Sequence, residues 1–146
     1  MMPTTKMPAP EEVELKLNIS EQIAYYIANQ PTPQLKNLVG SVFTREAIIT
    51  FFNELKESTG NKIYLCFPVD EDSDMVDKLT VDTSKIYGSG RIVDINKREV
   101  VFMFKIIPTY ANLIKRLSVH MRNISYERSY GKQPKILFAR VVGVVK

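Results

Sequence analysis

The sequence predicts an α+β fold, in which a mostly antiparallel sheet of about five to six strands carries two or three helices packed on one face. Three observations lead to this fold class. The segment VELKL alternates apolar and charged residues, which is the period of a half-buried strand, and residues 44–59 repeat apolar residues at helical spacing. The run from Val100 to Ile107 is nearly all apolar, which is typical of a strand inside a sheet.

The chain divides into two predicted parts: an extended N-terminal arm over residues 1–12 and a single α+β domain over residues 13–146. The first ten residues contain three prolines and show no apolar periodicity, so the arm has little surface with which to fold by itself. Its methionines and prolines are adaptable apolar docking residues. We therefore expect the arm to dock on the body of the domain or on a neighbouring subunit.

The first half of the domain is predicted to be one strand followed by short helices. After the strand VELKL, the tetrapeptide NISE has the spacing of a capping box and predicts a helix start. Thr32 followed by Pro33 is typical of an N-cap and a first helical turn. A further helix is predicted from Thr44 to about Thr59, and Gly60 is well placed to form its C-terminal cap.

The second half is predicted to consist mainly of strands. KIYLCF, LTVDTSKIYG and RIVDI are predicted strands, with an acidic loop over VDEDSDMVDK and a flexible break at the glycines of residues 88–90. Asn96 is predicted to lie at the turn of a hairpin, because Asn tolerates positive φ. Pro108 ends the sheet, and apolar residues at helical spacing predict a helix over Tyr110–Ile124. KILFARVVGVV is the last predicted strand, interrupted at Gly143.

Charge is divided unevenly along the chain. Residues 1–84 contain 7 Lys or Arg and 13 Asp or Glu, a net charge of −6, whereas residues 85–146 contain 13 Lys or Arg and 3 Asp or Glu, a net charge of +10. This division predicts complementary surfaces or one basic binding face. The alternative is that the two halves interleave in space, so that the charges mix.

No pattern of catalytic residues is present, so no enzyme activity and no cofactor are predicted. His120 is the only histidine and lies at the border of the predicted helix's buried stripe, which gives no nucleophile–base pair. Cys66 lies inside an apolar strand, as expected of an inert buried thiol. The GSGR segment lacks the Lys-Ser/Thr pair of a phosphate-binding loop.

The acidic loop is predicted to be a partner-binding surface that meets the basic face of a neighbouring copy. Its carboxylates are those of Asp70, Glu71, Asp72, Asp74 and Asp77. Alternating carboxylates begin a calcium-binding loop, but Met75 and Val81 stand where such a loop needs Gly and Glu, so no metal site is predicted. A looser divalent-cation site in this loop stays open as an alternative.

The basic segment near the end of the chain is the second predicted binding surface, for nucleic acid or for a protein partner. Its residues are Lys115, Arg116, Arg122, Tyr126, Arg128, Tyr130 and Lys132. Cations contact phosphates and aromatic rings stack on unpaired bases, so this mixture of residue types suits nucleic acid. Tyrosines are also common at contacts between proteins, so both partners stay open.

Two functions are therefore predicted. The first is a non-enzymatic structural subunit of a larger homo- or hetero-oligomer, associating through its arm and its complementary charged surfaces; a ring, connector or shell component of a virion is its most concrete version. The alternative is a nucleic-acid-binding module that uses the basic C-terminal helix and the following loop.

Membranes and secretion are not predicted. No apolar run approaches the ~20 residues that span a bilayer, and the start of the sequence has no long apolar stretch of a secretory signal. The single cysteine excludes a disulfide within the chain. We expect a non-secreted protein, in a reducing compartment or a viral particle.

Overall fold

A computed structural model describes residues 12–68, 85–127 and 134–146. Within these ranges, six strands form one curled sheet, accompanied by three α-helices and one 3₁₀ helix. In chain order the elements are β1 (Glu12–Asn18), α1 (Ile19–Ala28), α2 (Pro33–Val42), α3 (Arg45–Ser58), β2 (Ile63–Cys66), β3 (Ile86–Ile95), β4 (Glu99–Ile106), the 3₁₀ helix (Pro108–Arg116), β5 (Leu117–Glu127) and β6 (Lys135–Val145).

The sheet is mixed, and its strand order is β1-β4-β3-β2-β6-β5. Four pairings among the described strands are antiparallel, and β2 pairs with β6 in parallel at Cys66 and Val142. The α+β class is confirmed, while the sheet includes a parallel pairing that the sequence did not indicate. The helices are not clearly gathered on one face: α3 packs on β3 and β6, α1 contacts β1, and α2 packs on α1.

Side-chain caps set the starts of the three α-helices, as the sequence predicted for the first two. The Oδ1 of Asn18 accepts from the Glu21 amide at 2.9 Å, and the Oγ1 of Thr32 accepts from the Leu35 amide at 3.1 Å. Thr44 caps α3 in the same way. Each cap satisfies an amide that has no partner inside its helix, typically worth about 1 kcal/mol.

The main core lies between the helices and the inner side of the sheet. Phe52 of α3 and Phe102 of β4 have ring centroids 5.7 Å apart, and Phe104 stacks on Phe102 at 5.3 Å. All three rings are fully buried. Because burying one such side chain contributes about 1.5–3 kcal/mol, this aromatic cluster is a principal source of stability.

The predicted helix over Tyr110–Ile124 is wrong beyond its first two turns. Residues 108–116 form the 3₁₀ helix, and the chain then continues as strand β5. The apolar residues Leu117 and Met121 fit helical spacing, but with Val119 they also fit the strand period of two. Pairing with β6 decides between the two, because only a strand satisfies the backbone groups that face β6.

The flexible break predicted at residues 88–90 is also wrong, because these residues lie inside β3. A Cβ atom at Gly88 would lie 2.1 Å from the Lys105 carbonyl oxygen, and one at Gly90 would lie 1.9 Å from that of Met103. Both glycines therefore allow a close approach of β4. Gly143 likewise does not interrupt the last strand, where the ring of Tyr87 fills the space that its Cβ would take.

Several predictions fall on residues outside the described ranges. The arm lies there except for Glu12, which begins β1, and so does the whole acidic loop over residues 70–77. Of the predicted strand LTVDTSKIYG, the described part from Ile86 onward belongs to β3. The predicted division into an arm and a single domain stays a prediction.

Candidate interaction surfaces

The residues of the predicted basic surface do not share one helix face. Lys115 and Arg116 end the 3₁₀ helix, whereas Arg122 and Tyr126 lie on β5. Three further predicted residues, Arg128, Tyr130 and Lys132, lie outside the described ranges. The structure brings Arg116 and Arg122 onto one surface only through the strand geometry of β5.

Strand β5 sends alternate side chains to opposite sides of the sheet. Leu117, Val119 and Met121 are buried in the core. Ser118, His120 and Arg122 must therefore point to the other side, because successive strand residues alternate. We call this other side of the β5–β6 pair the outer face.

Pairing with β6 adds two basic residues to the outer face. Arg140 lies directly across from Arg122, and Val142 lies across from His120. At the end of the strands, the Lys146 amide donates to the Arg116 carbonyl at 2.8 Å, and the Arg116 Nε donates to the Lys146 carbonyl at 3.0 Å. We call the resulting set the outer basic face. It consists of Arg116, His120, Arg122, Arg140 and Lys146.

Two arginines of the outer basic face lack a carboxylate partner within the described part of the chain. None of the ion pairs found there includes Arg116 or Arg122. The Arg122 Nη2 instead donates to the Tyr25 hydroxyl oxygen of α1 at 3.4 Å. Among the described residues, Arg116 thus bonds the Lys146 backbone and Arg122 bonds the Tyr25 hydroxyl, and neither pairs with an Asp or Glu carboxylate.

His120 occupies the middle of the outer basic face. Burial lowers the pKa of His120, the charges of Arg122 and Lys146 lower it further, and Glu21 acts in the opposite direction. Its Nδ1 atom is buried and has no hydrogen-bond partner among the described residues, as is also true of the Ser118 Oγ. The Tyr25 ring lies 5.6 Å from the imidazole, between ring centroids.

A bulge ends the outer basic face. Asn123 has a φ of 53°, in the left-handed region that Asn adopts more readily than most residues, and the pairing shifts between Arg122 and Ser125. A second shift follows, after which Tyr126 lies across from the buried residue Ile136. The sequence predicted that Tyr126 and Arg122 share one surface, but the structure separates them.

The sequence reasoning missed the contributions of Arg140, Lys146 and Tyr25 to this surface. The alternation of Ser118, His120 and Arg122 on a strand was a readable signal, but it was interpreted with a helical period. Arg140 could be placed only once its strand partner was known, because it is separated from Arg122 by 18 positions.

A second surface is a groove of about 380 Å³ between α3 and the start of β6. Ala47, Phe51 and Ile136 supply its apolar lining. The carboxylates of Glu46 and Glu54 also line it, and Glu54 pairs with Lys135 of the opposite wall at 3.4 Å. The groove thus offers apolar surface and two carboxylates. Glu46 takes part in none of the ion pairs found among the described residues.

A third surface is the exposed part of α2. Its apolar residues Leu35, Leu38, Val39 and Val42 follow helical spacing along one stripe. Val39 and Val42 are 1% and 0% exposed, whereas Leu35 and Leu38 are each 37% exposed. The first half of this stripe therefore faces solvent.

Other candidate chemistry is not assembled in the described ranges. There, no cluster of His, Cys, Asp or Glu suits a metal ion, and no helix has the length and apolar character that crossing a membrane requires. Cys66 is buried, which raises the pKa of its thiol despite the nearby positive charge of Arg140. This geometry fits the inert thiol that the sequence predicted.

Comparisons with models of protein families, with curated proteins and with solved structures gave no match to this chain.

Proposed function

We propose that this protein is a non-enzymatic structural subunit of an oligomeric assembly, joined by contacts between different surfaces of neighbouring copies. The observation that carries the proposal is the apolar stripe of α2, which leaves the core halfway along the helix. Val39 and Val42 anchor the helix, and Leu35 and Leu38 project from it with more than a third of their surface exposed. An exposed apolar stripe on a helix is a recurring way of entering a partner's groove.

The groove between α3 and β6 supplies a complement on the same chain. Its volume of about 380 Å³ and its apolar lining suit the insertion of leucine side chains. Since the stripe and the groove are different surfaces, the contact is heterologous, and such contacts generate rings when the rotation between copies closes.

Two further contacts belong to this proposal as predictions from the sequence. The arm of residues 1–12 would dock across a neighbouring copy, and the acidic loop of residues 70–77 would meet a basic surface. Charge would then determine the register and the choice of partner more than the affinity. A ring, connector or shell component of a virion is the most concrete version of the proposal.

The test is the mass of the particle in solution. We expect wild-type protein to form a defined oligomer, and the double substitution Leu35→Glu with Leu38→Glu to give monomers by light scattering coupled to gel filtration. Two carboxylates placed in an apolar contact carry a desolvation cost, and the one lysine among the described lining residues of the groove, Lys135, is already paired with Glu54.

The matched control is Val93→Glu, which places the same charge at another exposed apolar residue, 40% exposed, on β3. It should leave the oligomer intact. A wild-type protein that is monomeric at all concentrations, or a leucine variant that keeps the wild-type mass while folded, would refute the proposal.

A further inference from the structure

We infer that the outer basic face binds the phosphate backbone of a nucleic acid, with a preference for single strands. This inference goes beyond the proposed assembly, because it concerns the β5–β6 pair rather than α2 and the groove. The sequence predicted a basic helix as the nucleic-acid-binding surface. The surface inferred here is instead formed by strands, and only some of its residues are the same.

The length of the face suits a polyanion. Arg116 and Arg122 are six positions apart along nearly extended chain, which spans about 20 Å. Along the axis of a duplex, each strand carries a charge about every 3.4 Å, and an unpaired strand is more extended, so several phosphates lie within that length. A linear row of cations therefore matches a linear row of phosphates better than it matches a single small anion.

The donors of the face suit phosphate oxygens. The guanidinium groups of Arg116 and Arg122 present forked donors, which bind phosphate with two hydrogen bonds. Arg140 is 8% exposed and lies directly across from Arg122.

Tyr25 favours a nucleic acid over an acidic peptide. Its ring is 43% exposed, and its hydroxyl lies 3.4 Å from the Arg122 Nη2. An exposed aromatic ring beside a phosphate-binding arginine can stack on an unpaired base, which is worth about 1–3 kcal/mol per base in single-strand-binding proteins. Among the described residues, Glu21 is the carboxylate that acts on His120, and it would repel phosphate.

The experiment measures fluorescence anisotropy of a labelled 20-nucleotide single-stranded DNA, and of the corresponding duplex, with the full chain at 50 and 200 mM salt. We expect tighter binding of the single strand and a steep loss of affinity at the higher salt concentration. Arg116→Ala and Arg122→Ala should each weaken binding about tenfold, and each should reduce the salt slope by about one.

Matched variants separate this surface from general charge effects. Arg98→Ala removes an exposed arginine from the β3–β4 turn and should change affinity less than twofold. Glu21→Gln should strengthen binding, a gain that a damaged fold cannot produce. Circular dichroism confirms that each variant is folded before it is used.

Three outcomes would overturn the inference. The first is no binding of DNA by wild-type protein at 50 mM salt, and the second is an equal loss of affinity for Arg98→Ala and Arg122→Ala. The third is that a synthetic peptide of residues 69–84 binds in an Arg122-dependent manner but displaces neither the single-stranded nor the duplex DNA. The last outcome would assign the face to contact between subunits. The leucine variants of α2 should leave DNA binding per chain unchanged, so the assembly proposal and this inference fail independently.

Discussion

The two sides of strand β5 carry different kinds of residue, although one strand forms both, and the part of the outer side contributed by β6 also includes the buried residue Val142. The inner side places Leu117, Val119 and Met121 in the core, where they are at most 8% exposed. The outer side carries Ser118, His120 and Arg122 and contains buried polar atoms without described partners. One strand thus stabilises the fold with one set of residues and presents polar and charged groups with the residues between them.

The largest expected effect contrasts two neighbouring residues. Met121 is 1% exposed on the inner side, so Met121→Ala should reduce the free energy of unfolding by about 2–5 kcal/mol. Arg122→Ala on the outer side should change it by less than about 0.5 kcal/mol, because this side chain makes only one long hydrogen bond among described residues. Urea unfolding measures both values, and similar losses for the two variants would contradict the division into an inner and an outer side.

A smaller loss of stability is expected from a substitution at the edge of β5 that does not pair with β6. There, a side chain of α1 bonds the backbone groups of β5 that a neighbouring strand would otherwise bond. The Gln22 Nε2 donates to the Met121 carbonyl at 3.2 Å, and the Met121 amide donates to the Gln22 Oε1 at 3.0 Å. Gln22→Ala leaves both backbone groups buried without a partner and should cost about 2–4 kcal/mol of unfolding free energy.

Gln30→Ala is the control for Gln22, because the Gln30 Nε2 donates only to the Tyr26 carbonyl four residues earlier. It should cost less than about 1 kcal/mol. If Gln22→Ala were no more destabilising than Gln30→Ala, the amide of Gln22 would not be closing the edge of the sheet.

The smallest effect concerns His120 and pH. Its folded pKa lies below the ordinary value of about 6.5, so the unfolded chain binds a proton more readily as the pH falls through that value. The contribution of His120 to stability is therefore complete above about pH 6.5 and is lost toward lower pH. The groups that act on it are Arg122 and Lys146, which lower the pKa, and Glu21, which raises it.

Unfolding in urea at pH 7.5 and pH 5.5 measures this effect, with His120→Gln as the comparison. The wild-type protein should lose more stability between the two pH values than the variant does. An equal loss in both proteins would show that His120 is no less basic in the fold than in the unfolded chain.

The sequence alone determined the features that depend on neighbouring residues. The caps at Asn18 and Thr32 were readable because a cap is a contact across three residues. The hairpin of β3 and β4 was also readable, but the reason predicted for Asn96 was wrong: Asn96 does not have a positive φ, and its Oδ1 instead accepts from the Arg98 and Glu99 amides within the turn. Alternation likewise identified β1.

Only the tertiary structure decided the features that depend on distant partners. Residues 117–124 fit both periods, and pairing with β6 made them a strand. The glycines at 88 and 90 resembled a flexible break until β4 was placed against them. The candidate site shows the same limit: Arg116 and Arg122 were selected from the sequence, but their neighbours Arg140 and Lys146 come from another strand. Periodicity records which side of an element is buried, whereas the partner strand that buries it is fixed only when the whole chain is packed.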